Sequence, residues 1–307
     1  MIKNISKKSN LSLTYRKLKL SDFKEFSKLF KLCFKKKISY DYFKWRYFSD
    51  KFSFCYGVFK SSSLIANVGM KSSLLNNKKK DLIFSRHSSM VLKRYRKLGI
   101  FSQLLKKVRK KIFNHSKIII MWPNKNNFAS FGFGPDEIKK KILYLYKIKA
   151  VRKKKIKTRD YNIDQLSMYK NFFKNNKSFI FKDLNYFNHR YVSFRHEDYL
   201  INKFDLRKLS SFFILKKNKN KGGINYVILD HFGSKIIKFN HLSQLVGEKK
   251  NIIFGSKKKI YNLNYKLINH INLIIGLTKK NNLTNKKQDI FYREFMLGDT
   301  DSFITIN

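Results

Sequence analysis

Apolar and polar positions along this chain recur with two periods, and their order sketches a fold. Leu13 to Leu20 alternates as a half-buried strand does. Ser21 and Asp22 follow, and Glu25 stands three residues after Asp22 as in a capping box. Phe23, Phe26, Leu29, Phe30, Cys33 and Phe34 then recur at helical spacing, a stripe predicted to face a core. A short helix is predicted over Tyr40 to Phe48. Three apolar runs come next, Phe52 to Phe59, Leu64 to Met70 and Leu82 to Leu92. Each is rich in aromatic or branched residues and bounded by Ser, Asn or Lys, which predicts an antiparallel meander. Ile100, Phe101, Leu104, Leu105, Val108, Ile112 and Phe113 return to helical spacing. Ile118 to Trp122 is a compact apolar strand that Pro123-Asn124 breaks, and Leu143 to Ile148 is the next strand.

The pattern then repeats. Residues 150–161 are basic and poor in apolar side chains, as a linker is, and a new helical pattern appears at Ile163, Leu166, Tyr169, Phe172 and Phe173. Tyr42-Phe43-Lys44-Trp45-Arg46-Tyr47 recurs as Tyr186-Phe187-Asn188-His189-Arg190-Tyr191, an offset of 186 − 42 = 144. Both copies precede a hairpin-like pair of strands; the second pair is Ser211 to Leu215 and Ile224 to Leu229, joined through Gly222-Gly223. Matching flanks make duplication a better account than chance. The expected architecture is α+β: a domain over 12–149, the linker, and a second domain over 162–307, each a mostly antiparallel mixed sheet flanked by helices.

Composition changes this picture little. With 307 residues, 43% hydrophobic and 16% aromatic, the chain has material for two cores. Its two cysteines, Cys33 and Cys55, lie in apolar contexts without metal spacing, so reduced packed thiols and no metal are expected. No apolar stretch reaches spanning length and the N-terminus lacks a signal-type core, so a cytoplasmic protein without a membrane span is expected. The formal net charge of +50 favours polyanionic partners, yet the lysines are spread through the chain and do not interleave with aromatics as a base-stacking groove would.

The densest candidate chemistry is Val91-Leu92-Lys93-Arg94-Tyr95-Arg96-Lys97-Leu98-Gly99-Ile100-Phe101. A strand runs into a basic, glycine-containing turn that opens a helix. Backbone N–H groups and the positive end of the helix dipole converge there, which suits a phosphate. Arg94, Arg96 and Lys97 add charge, and Gly99 lets the main chain approach closely. A solvated helix start reads the same way from these residues alone.

That stretch resembles the acyl-CoA pyrophosphate loop of the GNAT superfamily of N-acetyltransferases, V-x-P-x-Y-R-G-x-G-I-G/A. Val91, Tyr95, Arg96, Gly99 and Ile100 match. Lys93 replaces the proline, Lys97 the first glycine and Phe101 the final small residue. The Gly-Ile-Phe ending is similar to a branch that includes tandem-domain members. There an asparagine follows the next strand, and Pro123-Asn124 with Phe131-Gly132-Phe133 resembles that segment. The resemblance implies acetyl-CoA as co-substrate, held by Met90, Val91, Leu92, Arg96, Lys97, Leu98, Gly99, Ile100, Phe101 and Asn124. It implies an oxyanion-binding N–H near Met90 or Val91 and a small-molecule amine acceptor. An amino sugar or nucleotide-sugar is expected, by likeness to tandem relatives. The second copy has no comparable loop and is expected to be degenerate.

Proton transfer is less marked. No carboxylate lies between Ile83 and Leu92, where many GNAT enzymes place a base, and His87 is the nearest titratable residue on that strand. Ser130, Tyr144 and Tyr146 are proton-donor candidates by position, and Tyr144 is carried forward with His87. Two other readings compete. A FemAB-like aminoacyl transferase would use charged tRNA, and a non-enzymatic polyanion binder would show steep salt dependence.

Overall fold

Strand β1 (Leu13–Lys17) pairs antiparallel with β2 (Phe54–Lys60), Leu13 opposite Lys60, and β2 pairs antiparallel with β3 (Ser63–Leu74). β4 (Leu82–Val91) lies beside β3, and the Leu92 N–H donates to the Ile65 carbonyl at 3.0 Å. This is the predicted meander. The computed structural model describes residues 12–74, 82–113, 115–121, 138–148, 158–161, 184–192, 199–206, 209–220, 223–233, 252–256 and 265–277. Its contacts divide the chain into two units, one holding 12–72 with Arg86–His115, the other 82–85 and the described residues from Ser116 onward.

In the first unit, helices α1 (Phe23–Phe34) and α2 (Tyr40–Phe48) cover the meander. Phe26, Leu29, Phe30, Phe43 and Tyr47 pack with Leu18, Cys55, Phe59, Leu64 and Met90. The Phe26 and Phe43 rings are 4.6 Å apart, and Phe43 and Tyr47 meet edge-on at 5.8 Å. Burying each such ring contributes about 1.5–3 kcal/mol. Ser39 caps α2 by accepting from the Tyr42 N–H at 3.2 Å.

The predicted capping box at α1 does not form. Asp22 sits at the N-cap, but its carboxylate accepts both Arg16 Nη1 and Nη2 at 2.7 Å and the Lys19 N–H at 2.7 Å. A bidentate guanidinium outcompetes one amide for the carboxylate. Glu25 instead accepts from the Leu64 N–H at 3.4 Å.

The first unit closes with α3 (Ile100–Phe113), whose Ile100, Leu104, Leu105, Val108 and Ile112 are buried while Lys106, Lys107, Lys110 and Lys111 are exposed. Lys107 Nζ lies 5.3 Å from the Tyr15 ring centre and Lys111 Nζ 5.6 Å from that of Tyr56.

The second unit is built on β5 (Ser116–Met121), β6 (Ile138–Ile148), β7 (Thr158–Tyr161), β8 (Tyr199–Leu206), β9 (Leu209–Asn220), β10 (Gly223–Gly233), β11 (Ile252–Ser256) and β12 (Tyr265–Leu277). From residues 82–85 of β4 the strands follow in the order β5, β12, β6, β11, β10, β9, β8, β7. Helix α4 (Leu184–Phe187) continues as a π turn, Asn188–Val192, and so carries the second copy of the repeat. Phe187 and Tyr191 are buried with ring centres 5.4 Å apart, as Phe43 and Tyr47 are in the first copy.

Pairing repeats with a shift of six strands. β1–β2 and β2–β3 are antiparallel, as are β7–β8 and β8–β9. β4–β5 is parallel, and so is β10–β11. The sixth strands exchange: β12 lies antiparallel to β5, while β6 lies antiparallel to β11. The fold is therefore mixed α/β with mostly antiparallel mixed sheets and flanking helices, as expected. Residues 158–161 of the expected linker form β7 at the sheet edge. The helical pattern at Ile163–Phe173, the Pro123-Asn124 segment and Ser130 lie outside the described residues.

Candidate active site

The site is built where β4 gives way to α3. The parallel ladder of β4 with β5 runs from Leu82 opposite Ser116 to Ser85 opposite Ile120, and β4 itself continues to Val91. A 3-10 turn, Lys93–Tyr95, turns the chain. Its geometry is set by Tyr95, which is buried and whose N–H donates to the Leu92 carbonyl at 2.9 Å, and by Arg96, whose N–H donates to Lys93 at 3.2 Å. Arg94 lies 5.0 Å from the Tyr95 ring centre. Val91, at the end of β4, has its carbonyl gripped from two sides. Arg96 Nε donates to it at 3.1 Å and Cys33 Sγ at 3.7 Å. Burial pushes the Cys33 thiol up.

Two left-handed residues follow, Lys97 with φ 65° and Gly99 with φ 72°, on either side of Leu98. The Gly99 carbonyl accepts from the Gln103 N–H at 3.1 Å, which makes Gly99 the entry residue of α3. The N–H groups of the first helical turn lack acceptors within the helix. A Cβ placed on Gly99 would meet nothing within 4 Å, so this side of the loop faces open space. Lys93, Arg94, Arg96, Lys97, Leu98 and Gly99 are exposed, while Ile100 is buried beneath them. Two left-handed residues, exposed cations and free approach at the start of a helix suit a diphosphate. Among the predicted contacts, Met90 is core, and Val91, Leu92, Arg96, Lys97, Leu98, Gly99, Ile100 and Phe101 form one continuous corner.

Upstream on β4, Arg86 is buried and its Cζ lies 6.0 Å from the Phe101 ring centre. Burial pulls that guanidinium down to about 10. Ser88 breaks the regular strand with φ 44°. Its carbonyl accepts from Asn67 Nδ2 at 3.1 Å and its hydroxyl is hydrogen-bonded to the Tyr47 hydroxyl. Burial pushes the Tyr47 phenol up.

His87 is 7% exposed, and its Nδ1 lies 3.0 Å from Arg46 Nη2, while Arg46 Nη1 donates to the Tyr42 hydroxyl at 2.7 Å. Sequence reasoning missed Arg46 as a site residue, because 41 residues and a change of element separate it from His87. Its recurrence as Arg190 was the available signal. Tyr144 takes its place on β6 opposite Ser256 and His270; its side chain lies outside the described residues. Tyr146 on the same strand is buried. Asn124 lies outside the described residues. Among the described residues no group of three or more His, Cys, Asp or Glu could hold a metal, and no helix is long and apolar enough to cross a membrane.

The fold is similar to that of GNAT N-acetyltransferases of known structure. A GCN5-related N-acetyltransferase from Anabaena variabilis ATCC 29413 superposes with a TM-score of 0.66 at 7% identity over 87% of this chain and 73% of its own. A conserved protein of unknown function from Enterococcus faecalis V583, described as a probable N-acyltransferase, gives 0.64 at 11% over 92% and 75%. Eis1 from Mycobacterium abscessus gives 0.57 at 10% over 87% and 73%. No family model matches the sequence. No curated protein matches it either.

Proposed function

We propose that this chain is an N-acyltransferase that moves an acetyl group from acetyl-CoA to a primary amine. The observation that carries the reading is the corner from Arg96 to Phe101, where Lys97 and Gly99 turn left-handed at the start of α3 and leave an open, basic surface. In this reading the amides from Lys97 to Phe101 and the Arg96 and Lys97 side chains hold the diphosphate. The main chain of Met90, Val91 and Leu92 lines the pantetheine, an N–H near Met90 or Val91 receives the developing oxyanion, and Asn124 completes the donor site. The amine forms a C–N bond as the thioester C–S bond breaks; the amine loses a proton and the thiolate gains one. His87 and Tyr144 are the proposed proton-handling residues. An amino sugar or nucleotide-sugar is the proposed acceptor, and the cytoplasm the proposed compartment.

We also propose that 12–149 and 162–307 descend from one duplicated unit joined by 150–161, with the acyl-CoA loop kept only in the first. The six-strand shift in pairing and the two Phe-Tyr ring pairs support this.

Thiol release from acetyl-CoA in the presence of hexosamines, nucleotide-linked amino sugars and simple amines tests the proposal. Acetylated amine and free thiol in equal amounts are expected, and thiol release unaffected by any amine would contradict it. One feature favours a second reading, a charged-tRNA donor: no carboxylate occurs between Asp81 and Asp136, and α3 exposes four lysines. That reading predicts tRNA affinity falling steeply with salt and no affinity for acetyl-CoA.

A further inference from the structure

We propose that Arg46 is a positioning residue: it fixes the His87 imidazole as its Nε2–H tautomer, so that the histidine on β4 offers a hydrogen-bond donor and not a base. The chemistry is one-sided. A guanidinium has five N–H donors and no lone pair to give. At 3.0 Å from Arg46 Nη2, His87 Nδ1 is therefore the acceptor. An imidazolium would set N–H against N–H and place two like charges together, and the Nδ1–H tautomer would do the first of these. The neutral ring with its proton on Nε2 satisfies the contact. Arg46 and His87 are 5% and 7% exposed, so water competes little for either.

Arg46 is itself held in place. Nη1 donates to the Tyr42 hydroxyl at 2.7 Å, and its Cζ lies 5.5 Å from the Tyr42 ring centre and 5.9 Å from that of Tyr47. The Tyr47 hydroxyl bonds the Ser88 hydroxyl, Asn67 bonds the Ser88 carbonyl, and Arg86 approaches the Phe101 ring on α3.

The second copy keeps the arginine and the tyrosine of this arrangement. There Arg190 lies 5.7 Å from the Tyr191 ring centre, and the Tyr191 hydroxyl bonds Asp230 on β10 as Tyr47 bonds Ser88 on β4. On β10 the buried Leu229 precedes Asp230 and His231 follows it, and the repeat offset of 144 sets His231 against His87. Arginine and tyrosine are common to both copies. With Nδ1 engaged and Nε2 protonated, the ring has no vacant position for an incoming proton. It can donate to an oxygen or sulfur that gains negative charge. That consequence for catalysis rests on the acyltransferase reading; the tautomer does not.

Nitrogen-15 spectra of the histidine rings in the full chain at neutral pH read the tautomer directly. The wild type is expected to show His87 as the Nε2–H form. Arg46→Met is expected to abolish that preference, and Arg46→Lys to retain it, since an ammonium also donates. His87→Leu is expected to keep the wild-type melting temperature within a few degrees. In acetyl transfer, Arg46→Met and His87→Leu should each lower kcat by about 10²-fold, in the range a positioned proton-transfer group supplies. Arg46→Lys should recover part of that, with KM for acetyl-CoA unchanged throughout. A wild-type ring found as the Nδ1–H tautomer or as imidazolium would overturn the proposal, as would an unchanged tautomer in Arg46→Met. If Arg46→Met does not fold, the wild-type and Arg46→Lys spectra still decide. An Nε2–H ring in a chain that transfers nothing would sink the acyltransferase reading and leave the tautomer lock standing.

Discussion

Lys97 and Gly99 hold left-handed backbone two positions apart, at φ 65° and 72°. Gly99 adopts that conformation freely; Lys97 does so against its own Cβ. A left-handed residue other than glycine costs about 1–2 kcal/mol. The pattern that this stretch resembles has glycine at the Lys97 position; here a lysine holds left-handed backbone at that cost. Lys97→Gly is expected to raise unfolding stability by about 0.5–1 kcal/mol, part of the gain being offset by a more flexible unfolded chain. Denaturant unfolding checks it, with Lys97→Ala as the control that gains nothing.

Gly69 is needed for room and not for rotation. A Cβ there would come within 2.5 Å of Tyr47 Cε1, a ring buried in the core. Gly69→Ala must push that ring and disturb its bond to Ser88 on β4. A loss of about 1–3 kcal/mol is expected, as for other overpacked cores. Thermal unfolding of the single variant measures it.

Asp50 ties the end of α2 to β3. Its carboxylate accepts from the Ser53 and Phe52 N–H groups, both serine hydroxyls at 53 and 72, and Lys71 Nζ at 3.0 Å. Burial alone would lift its pKa; the Lys71 charge and the Ser53 hydrogen bonds overcome it and hold the carboxyl at about 2, below the ordinary 3.8. The folded value is depressed, so the stability it supplies is present above 3.8 and is lost as pH falls toward 2. Asp50→Asn is expected to cost about 1–2 kcal/mol at neutral pH, discounted for partial exposure. The gap between variant and wild type should close in acid, which paired unfolding curves at pH 7 and near pH 2 will read.

The strand exchange makes a prediction about the halves. β5 needs β12, from 265–277, on its open side, and β6 lies between β12 and β11. A chain cut after residue 149 leaves β6 without both partners and exposes an apolar edge. It is expected to aggregate when expressed alone and to recover solubility when residues 150–307 are co-expressed. A soluble, cooperatively folding 1–149 fragment would refute this.

Much of the local structure was legible from periodicity. Helix α2, the turn from β4 into α3 and the second Tyr-Phe copy on α4 all fall where side-chain spacing put them, because each depends on near neighbours in the chain. The exchange of β6 and β12 was not legible. Ile118–Met121 pairs with Ile274–Leu277, and an apolar strand's composition does not name its partner. β7 was hidden because Thr158-Arg-Asp-Tyr161 is short and polar, as an edge strand can be. The α1 cap was misread because Arg16, on another element, takes the Asp22 carboxylate. For the candidate site, the strand, the basic turn and the helix start were legible in the sequence. The strained backbone at Lys97 and the Arg46–His87 contact needed coordinates, since both arise from tertiary packing.

The central claim is that the main-chain corner around Gly99 grips the diphosphate of an acyl carrier. Calorimetric titration of acetyl-CoA into the full chain, beside a Gly99→Val variant, tests it most directly. A valine side chain has open space at that position, but a β-branched residue cannot easily hold φ 72°. The account predicts saturable binding to the wild type and at least about tenfold weaker binding to the variant, roughly 1.4 kcal/mol or more, with both proteins folded. Equal affinity in the two, or no heat from the wild type at millimolar acetyl-CoA, would contradict it.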